Sequence, residues 1–316
     1  MTRRFLFQRL AIFALTLLGA SVVIFVVLDV LPGNAAQTLL GPDATPDTVA
    51  ALAHKLGLDR PPLERYLGWV GGLLHGDFGV SYAYGTPVAG LIGERLAVSL
   101  PLALLAMVLT AALALSLGTI AAARHRHVDD TLIMAFAQVG IAVPNFWLAI
   151  LLILLFAVHL HWFAAGGFPG WSAGVGPALR ALVLPAVALA MVEGAILARV
   201  TRTAVLAVLN EDFVRTARAK GLTRAAVLWR HVLRNAFVPV LTIMGLQFAN
   251  LVAGTIVIEN VFYLPGLGRL IFQSIANRDQ IVVRDAVMLL AALVVTVNFA
   301  VDVLSSLIDP RLGAHA

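Results

Sequence analysis

Long uncharged apolar runs decide what this chain can fold into. A bilayer is crossed by about 20 consecutive apolar residues. Six stretches qualify: 10–28, 96–123, 131–158, 181–198, 236–258 and 286–308. Four of the six hold no charged residue, and Glu193 and Asp302 are the exceptions. The chain is 60% hydrophobic and 12% charged, with a mean hydropathy of +0.94, which a soluble domain rarely reaches. The pattern predicts an all-α integral membrane protein of six spanning helices in a single domain covering 1–316.

The charge that these runs exclude collects between them. The densest collection is at 210–239, where Arg215, Arg218, Lys220, Arg224, Arg230 and Arg234 stand between two apolar segments. An ion in hydrocarbon costs about 2.5–3.5 kcal/mol on insertion scales, so this stretch is a solvent-side loop. With Arg3, Arg4 and Arg9 placed inside, 14 of the 22 Lys and Arg residues fall on the cytoplasmic side. The positive-inside rule then puts both termini in the cytoplasm. The net charge of +5 reflects this bias, and no groove-reading motif accompanies it, so no nucleic-acid partner is expected.

The first run begins with positive charge, as a signal peptide does. Its roughly 19 apolar residues exceed the usual 7–15 of such a segment, and no small-residue cleavage site follows directly, so an uncleaved span is expected. The chain contains no Cys, which excludes disulfides, thiolate metal sites and cysteine nucleophiles. Residues 29–95 form the one sizeable soluble segment, predicted outside the membrane. Leu31-Pro32-Gly33-Asn34 should end the first span. Thr45 can cap a helix over 47–55 with Pro46 at its first position, stopped near Gly57. A second helix is predicted over 63–74, followed by a turn at Gly76-Asp77-Phe78-Gly79. Residues 159–180 and 260–284 are the other outside loops.

The basic loop, 210–235, reads as two short helices around Gly221. At 100° per residue, Phe213, Ala217 and Lys220 share one face of the first helix, with Arg215 and Arg218 off it. At Gly221 a left-handed bend is expected, which a Cβ would obstruct. Thr223 can cap the helix that follows. From charge alone this could be an ordinary basic loop held near anionic lipid.

Particular residues narrow the choice. Arg215-Thr216-Ala217-Arg218-Ala219-Lys220-Gly221-Leu222 and Arg230-His231-Val232-Leu233-Arg234-Asn235 resemble the EAA loop of bacterial ABC importer permeases. The general form of that loop begins Glu-Ala-Ala and ends Ile-x-Leu-Pro. The departures here are those of the peptide-and-nickel branch. Leu56-Gly57-Leu58-Asp59-Arg60-Pro61-Pro62, the Gly76–Ser81 turn and Phe262–Arg269 resemble the same branch, so the likeness covers nearly the whole chain, to Asp309-Pro310-Arg311. The resemblance implies the first permease of a dipeptide, oligopeptide or nickel importer in the bacterial inner membrane. It implies a homologous second permease, two ATPase subunits that hold ATP and Mg, and an extracytoplasmic substrate-binding protein. This chain would itself need no cofactor. Arg215, Thr216, Ala217, Arg218, Lys220, Gly221 and His231 would then be the residues that dock the ATPase.

Polar residues inside the spans are candidates for a translocation path. Gln247, Asn250 and Gly254 recur at i, i+3 and i+7 of the fifth, on one helix face, and Glu193 lies within the fourth. Helix packing through polar contacts, worth about 0.6 kcal/mol each on average, is the competing reading. Asn298, Asp302, Ser305 and Asp309 form a similar stripe in the sixth, where packing or an ion pair at the cytoplasmic end is favoured. Glu259 is expected to be structural. His125, His127, His159 and His161 stand in turns where no Cys occurs and no carboxylate is expected beside them, so solvated or interfacial histidines are favoured over metal ligands. Pro144 and Pro185 should kink their helices. No phosphate-binding G-x-x-x-x-G-K-[ST] motif and no nucleophile–base constellation stands out, so the chain is not expected to hydrolyse ATP. An intramembrane enzyme centred on Glu193 and the histidines, and a secondary transporter that works without ATPase partners, are the alternatives.

Overall fold

The computed structural model describes residues 3–30, 35–41 and 43–308. The predicted stops at 31–34 and 309–311 lie outside the described residues. Helices dominate: α1 (Arg3–Val30), α2 (Ala35–Leu40), α3 (Pro46–Lys55), α4 (Pro62–Leu74), α5 (Val88–Ala123), α6 (Val128–Ala142), α7 (Asn145–Leu152), α8 (Val175–Leu209), α9 (Asp212–Ala219), α10 (Arg224–Val227), α11 (Leu233–Val261), α12 (Leu267–Ala276) and α13 (Gln280–Ile308). Among the described residues five helices are long and apolar enough to cross a membrane, and a bent pair makes up to six.

That bent pair lies in the third span expected over 131–158, and the kink expected at Pro144 is a full break between two helices. α6 and α7 meet at 103°. Pro144 is the cause. It has no N–H to donate, and its ring pushes the preceding residue out of helical geometry. Val143 accordingly sits at φ −89°, ψ 124°, extended. Beyond α7 the helix widens into a π-turn at Ile153–His159. Pro185, by contrast, stays inside the continuous 35-residue α8.

Contacts divide the chain into two units. One holds the residues up to Arg9, Leu100–Leu264 and those from Val297 onward. Its centre is α8, whose buried residues run from Ala178 to Val205. Small residues let backbones approach closely around it. A Cβ on Gly118 of α5 would stand 2.6 Å from the Ala198 carbonyl oxygen and 2.6 Å from the Thr201 Cβ. One on Gly245 of α11 would meet Val301 Cγ1 at 2.9 Å. Near one end of this unit Arg9 pairs with Asp302 at 2.8 Å, and Ser305 is buried, so the polar stripe of α13 serves an ion pair and packing.

The other unit holds Leu10–Ser99 and Pro265–Thr296. Here Thr45 caps α3 as expected, accepting from the Thr48 N–H, and Gly57 adopts φ +68° past its end. His54 Nδ1 lies 2.6 Å from Asp59 Oδ2, and that hydrogen bond holds the Asp59 carboxyl below its usual range. α4 follows, and its Trp69 donates from Nε1 to Asp285 Oδ1 of α13 at 2.6 Å. Asp279 is fully buried, accepting from Ser81 Oγ at 2.5 Å and from the Ala83 N–H at 3.0 Å. An apolar cluster of Val88, Ile92, Leu267, Leu270, Ile271, Val282 and Ala286 closes this unit.

Gly118→Leu should lower the melting temperature of the detergent-purified protein. Overpacking of this kind costs about 1–3 kcal/mol, and the obstacle here is backbone that cannot rotate away. Thermal unfolding of the variant against the parent checks it, with Gly90→Leu, where a Cβ meets nothing within 4 Å, as the tolerant control.

Candidate functional site

The basic loop is an elbow seated on helix ends. α9 and α10 are short, and what fixes them is apolar. Val214 and Ala217 of α9, Val227 of α10, and Val232 and Ala236 pack with Ala122 of α5 and Val205 of α8. Burying one Val contributes about 1.5–3 kcal/mol, so two or three anchors suffice to hold an eight-residue helix that could not persist alone. The seated face is thus Val214 and Ala217. Of the three residues that share a face by helical spacing, Ala217 alone is buried: Phe213 is 42% exposed and Lys220 is exposed. Val214, three residues before Ala217, supplies the apolar anchor.

The turn between the two helices follows its sequence. Gly221 adopts φ +82°, and Thr223 Oγ1 accepts from the Ala226 N–H at 3.2 Å, capping α10. Open space surrounds the Cα of Gly221, so a side chain there is disfavoured by backbone conformation and not by crowding. Arg215, Thr216, Arg218, Lys220 and Gly221 are exposed, Ala217 is buried and His231 is half-buried. α10 passes through a π-turn at Leu228–Val232 directly into α11. The elbow therefore presents a polar, positively charged outer surface and is continuous with a long apolar helix.

A second feature braces the elbow's supports. Arg202 of α8 donates to both carboxylate oxygens of Asp130 on α6, from Nε at 2.6 Å and from an Nη at 2.7 Å. The Arg126 N–H donates to Asp130 at 3.2 Å, and His125 Nδ1 lies 3.1 Å away. Asp130 is 4% exposed. The expectation of no carboxylate beside His125 is therefore corrected. The chain turns back after α5, with Arg126 at φ +67°, and this brings Asp130 under the imidazole. Three N–H donors, two from Arg202 and one from the Arg126 backbone, meet Asp130, with His125 Nδ1 beside it; no group of three metal-ligating side chains occurs among the described residues. This fork-shaped pair escapes a periodicity search, because its partners lie 72 residues apart on different helices.

The candidate path residues separate. Glu193 and Gln247 are buried together, with Gln247 Nε2 donating to the Glu193 backbone carbonyl at 3.1 Å. Glu193 Oε2 and Gln247 Oε1 have no hydrogen-bond partner. Gly254 packs against α8, where a Cβ would come within 2.9 Å of Leu189 Cδ2. Asn250 alone of the three in α11 is exposed. It sits about 60° around the helix from Gln247, enough to cross from the packed side to the open one. The open side of α11 carries Asn235, Thr242, Leu246, Asn250, Ala253 and Val257. A cleft of about 1090 Å³ lies at its elbow end, lined among others by Glu211, Phe213, Arg234, Asn235 and Thr242.

The elbow is thus an exposed, positively charged break between long apolar helices. The chain belongs to the family described as binding-protein-dependent transport system inner membrane component, whose model matches residues 114–314, with the companion N-terminal model matching 1–103. Members are the permease components of ABC importers, in which ATP hydrolysis belongs to other subunits. The chain is 41% identical to a putative peptide transport system permease protein of Brucella abortus, over 94% of each chain. It is 37% identical to the oligopeptide transport system permease protein AppB of Bacillus subtilis, over 94% of this chain and 95% of that one. To the dipeptide transport system permease protein DppB of Alkalihalophilus pseudofirmus it is 35% identical, over 96% and 98%. In fold it resembles a chain of the inward-facing MetNI methionine ABC transporter, with a TM-score of 0.58 and 17% identity over 69% of this chain and 96% of that one.

Replacing Asp130 by Asn, or Arg202 by Met, should each destabilise the purified protein more than the double replacement does, because each single change strands a partner. A coupling energy of about 0.5–3 kcal/mol is expected from the double-mutant cycle, read by thermal or chemical unfolding.

Proposed function

We propose that this chain is one of two permeases of an ATP-driven importer for di- or oligopeptides, moving its cargo inward by alternating access. A related small solute such as nickel is the other cargo class in this branch. The seated elbow carries the proposal. One of two ATPase subunits, which hold ATP and Mg, docks on the outer surface of α9 and α10 through Arg215, Thr216, Arg218, Lys220 and His231, with Gly221 shaping the knob. The elbow faces the cytoplasm, as do both termini, and a substrate-binding protein delivers cargo from the opposite side to the segment 29–95 and its neighbouring loops. Closure of the ATPases pushes the elbow. Because α10 continues into α11, the push is delivered to a spanning helix and not absorbed in a loop. The inward-open and outward-open states differ in their affinity for nucleotide, which is what lets ATP shift the population.

Within this frame the wall of the path is the open side of α11, with Asn250 and Thr242 among its polar positions, and it faces the second permease. Glu193, Gln247 and Gly254 support that wall from behind. A mixed polar and apolar stripe suits a passage that must neither bind peptide tightly nor expose bare backbone.

Two experiments bear on these readings. Gly221→Leu should reduce ATP-dependent uptake in proteoliposomes at least about tenfold, since a bulky residue must leave the left-handed region or strain it. Assembly with the ATPases should persist, and unchanged uptake at normal expression would count against the docking role. The chain's lack of Cys makes the second one direct. Single cysteines at Thr242 and Asn250 should react with a charged methanethiosulfonate reagent at rates that change between nucleotide-free and ATP-bound states. One at Gln247 should stay unreactive in both. Equal reactivity at 247 and 250 would remove the assignment of the wall.

A further inference from the structure

Far from the elbow lies a pocket of about 580 Å³ that the transport reading leaves unused. Arg180, which lines it, stands near the start of α8, about 45 Å from the elbow at 1.5 Å per residue. That exceeds the roughly 30 Å of a hydrocarbon core, so pocket and elbow belong to opposite sides of the bilayer. The loop that makes the rest of the pocket is fastened to the far end of α11. The Gly167 N–H donates to the carbonyl of Phe262, the C-cap of α11, at 2.8 Å, and a Cβ on Gly166 would stand 2.6 Å from that oxygen. The pocket therefore adjoins the tip of the helix whose open side is the proposed wall of the path.

Its walls are set before anything enters. The Trp162 and Phe163 N–H groups both donate to the Phe156 carbonyl, at 2.8 and 3.3 Å. The Phe156 ring lies 5.7 Å from the Trp162 ring and 6.4 Å from the Phe163 ring. Phe168 meets Trp171 edge-on at 5.5 Å. The Arg180 guanidinium is held twice: an Nη donates to the Trp162 carbonyl at 2.5 Å, and its carbon lies 5.7 Å from the centre of the Phe163 ring. The first contact uses one of the five N–H groups of an arginine. No Asp or Glu is among the residues that line the pocket.

These walls define a ligand. A guanidinium donates and never accepts, so it turns away an ammonium and meets a carboxylate as a planar fork. Trp162, Phe163 and Phe168 around it offer aromatic faces to an apolar group attached to that carboxylate. The volume lies in the range that encloses a small organic molecule, which admits the end of a peptide but not a long stretch of one. Every unmodified peptide ends in a carboxylate beside its last side chain. Ordering the walls in advance spares the entropy that binding would otherwise cost.

On the reading of this chain as a peptide permease, we propose that the pocket is an entry subsite for the C-terminal residue of the cargo. Arg180 pairs with the terminal carboxylate, and Trp162, Phe163 and Phe168 receive the side chain next to it. Cargo is thereby sorted at the mouth of the path by its last residue, with aromatic and aliphatic ends preferred and amidated ends refused.

The test uses the assembled transporter in nanodiscs without its substrate-binding protein, so that no other receptor reads the peptide. The probe is alanyl-benzoylphenylalanine, which carries a terminal carboxylate and a photoreactive aromatic side chain. Mass spectrometry should place the photolabel within 161–181. Alanyl-phenylalanine should compete at least about tenfold better than its C-terminal amide, the worth of one charge-assisted contact. Arg180→Gln should lower labelling about tenfold, and Arg180→Lys should recover part of it. Phe168→Ala should erase the preference for alanyl-phenylalanine over alanyl-alanine while the carboxylate is still required. Where R180Q does not assemble, the amide comparison on the parent protein decides. Equal competition by peptide and amide, or labelling outside 161–181, overturns the proposal. So does competition by acetate or inorganic phosphate as strong as that by the peptide, which would make this a simple anion site. Absent labelling in a preparation that imports peptide once ATP and the substrate-binding protein are added defeats the subsite alone. A preparation that imports no peptide defeats the permease reading on which the subsite rests.

Discussion

The cost of placing charge in hydrocarbon governs this molecule. It forces most Lys, Arg, Asp and Glu residues to helix ends and loops, with Glu193 inside α8 an exception, and it explains how they behave once there. Asp130, almost wholly buried, is met by three N–H donors, of which Arg202 supplies two. Asp302 is answered by Arg9. Such pairs contribute little net stability compared with apolar residues of the same shape, because desolvation offsets most of the attraction. What they do supply is register. An arginine fork on α8 that meets both oxygens of one carboxylate on α6 admits few alternative alignments of the two helices.

Apolar contact has the complementary role at the elbow. The exposed arginines there are not what holds α9 down. Val214, Ala217 and Val227 hold it down. This separation means that the outward surface is free of any anchoring role. It also means that force on the outward surface reaches α5, α8 and α11 through close-packed atoms, which have low compressibility.

Much of this was legible in the sequence, and the reasons are specific. Apolar runs and lysine–arginine asymmetry report a single large energy, that of desolvation, so the helices and the elbow could be read without long-range information. Local chemistry was equally readable where it is satisfied within a few residues, as with the Thr45 and Thr223 caps and the left-handed Gly221. Three things were not. Which face of α9 is seated was not readable: helical spacing groups Phe213 with Ala217, yet Val214 is the residue buried beside Ala217. The break at Pro144 was read as a kink, because sequence gives the presence of the proline and not the direction the chain takes afterwards. The Arg202–Asp130 fork and the Trp69–Asp285 hydrogen bond join residues 72 and 216 positions apart, and no spacing rule reaches across helices to find them.

The close approach at Gly245 has a mechanical consequence. From Arg224 to Val261 the chain is a 38-residue helical rod, about 55 Å long at 1.5 Å per residue. Gly245 lies near its midpoint, and there it is pressed against Val301 more tightly than any side chain would allow. A beam pinned close to its middle swings like a seesaw, its two tips travelling in opposite senses. A shove on one side of the bilayer would therefore widen the gap beside one tip while narrowing it beside the other, and the smallest amino acid in the chain would be the pivot.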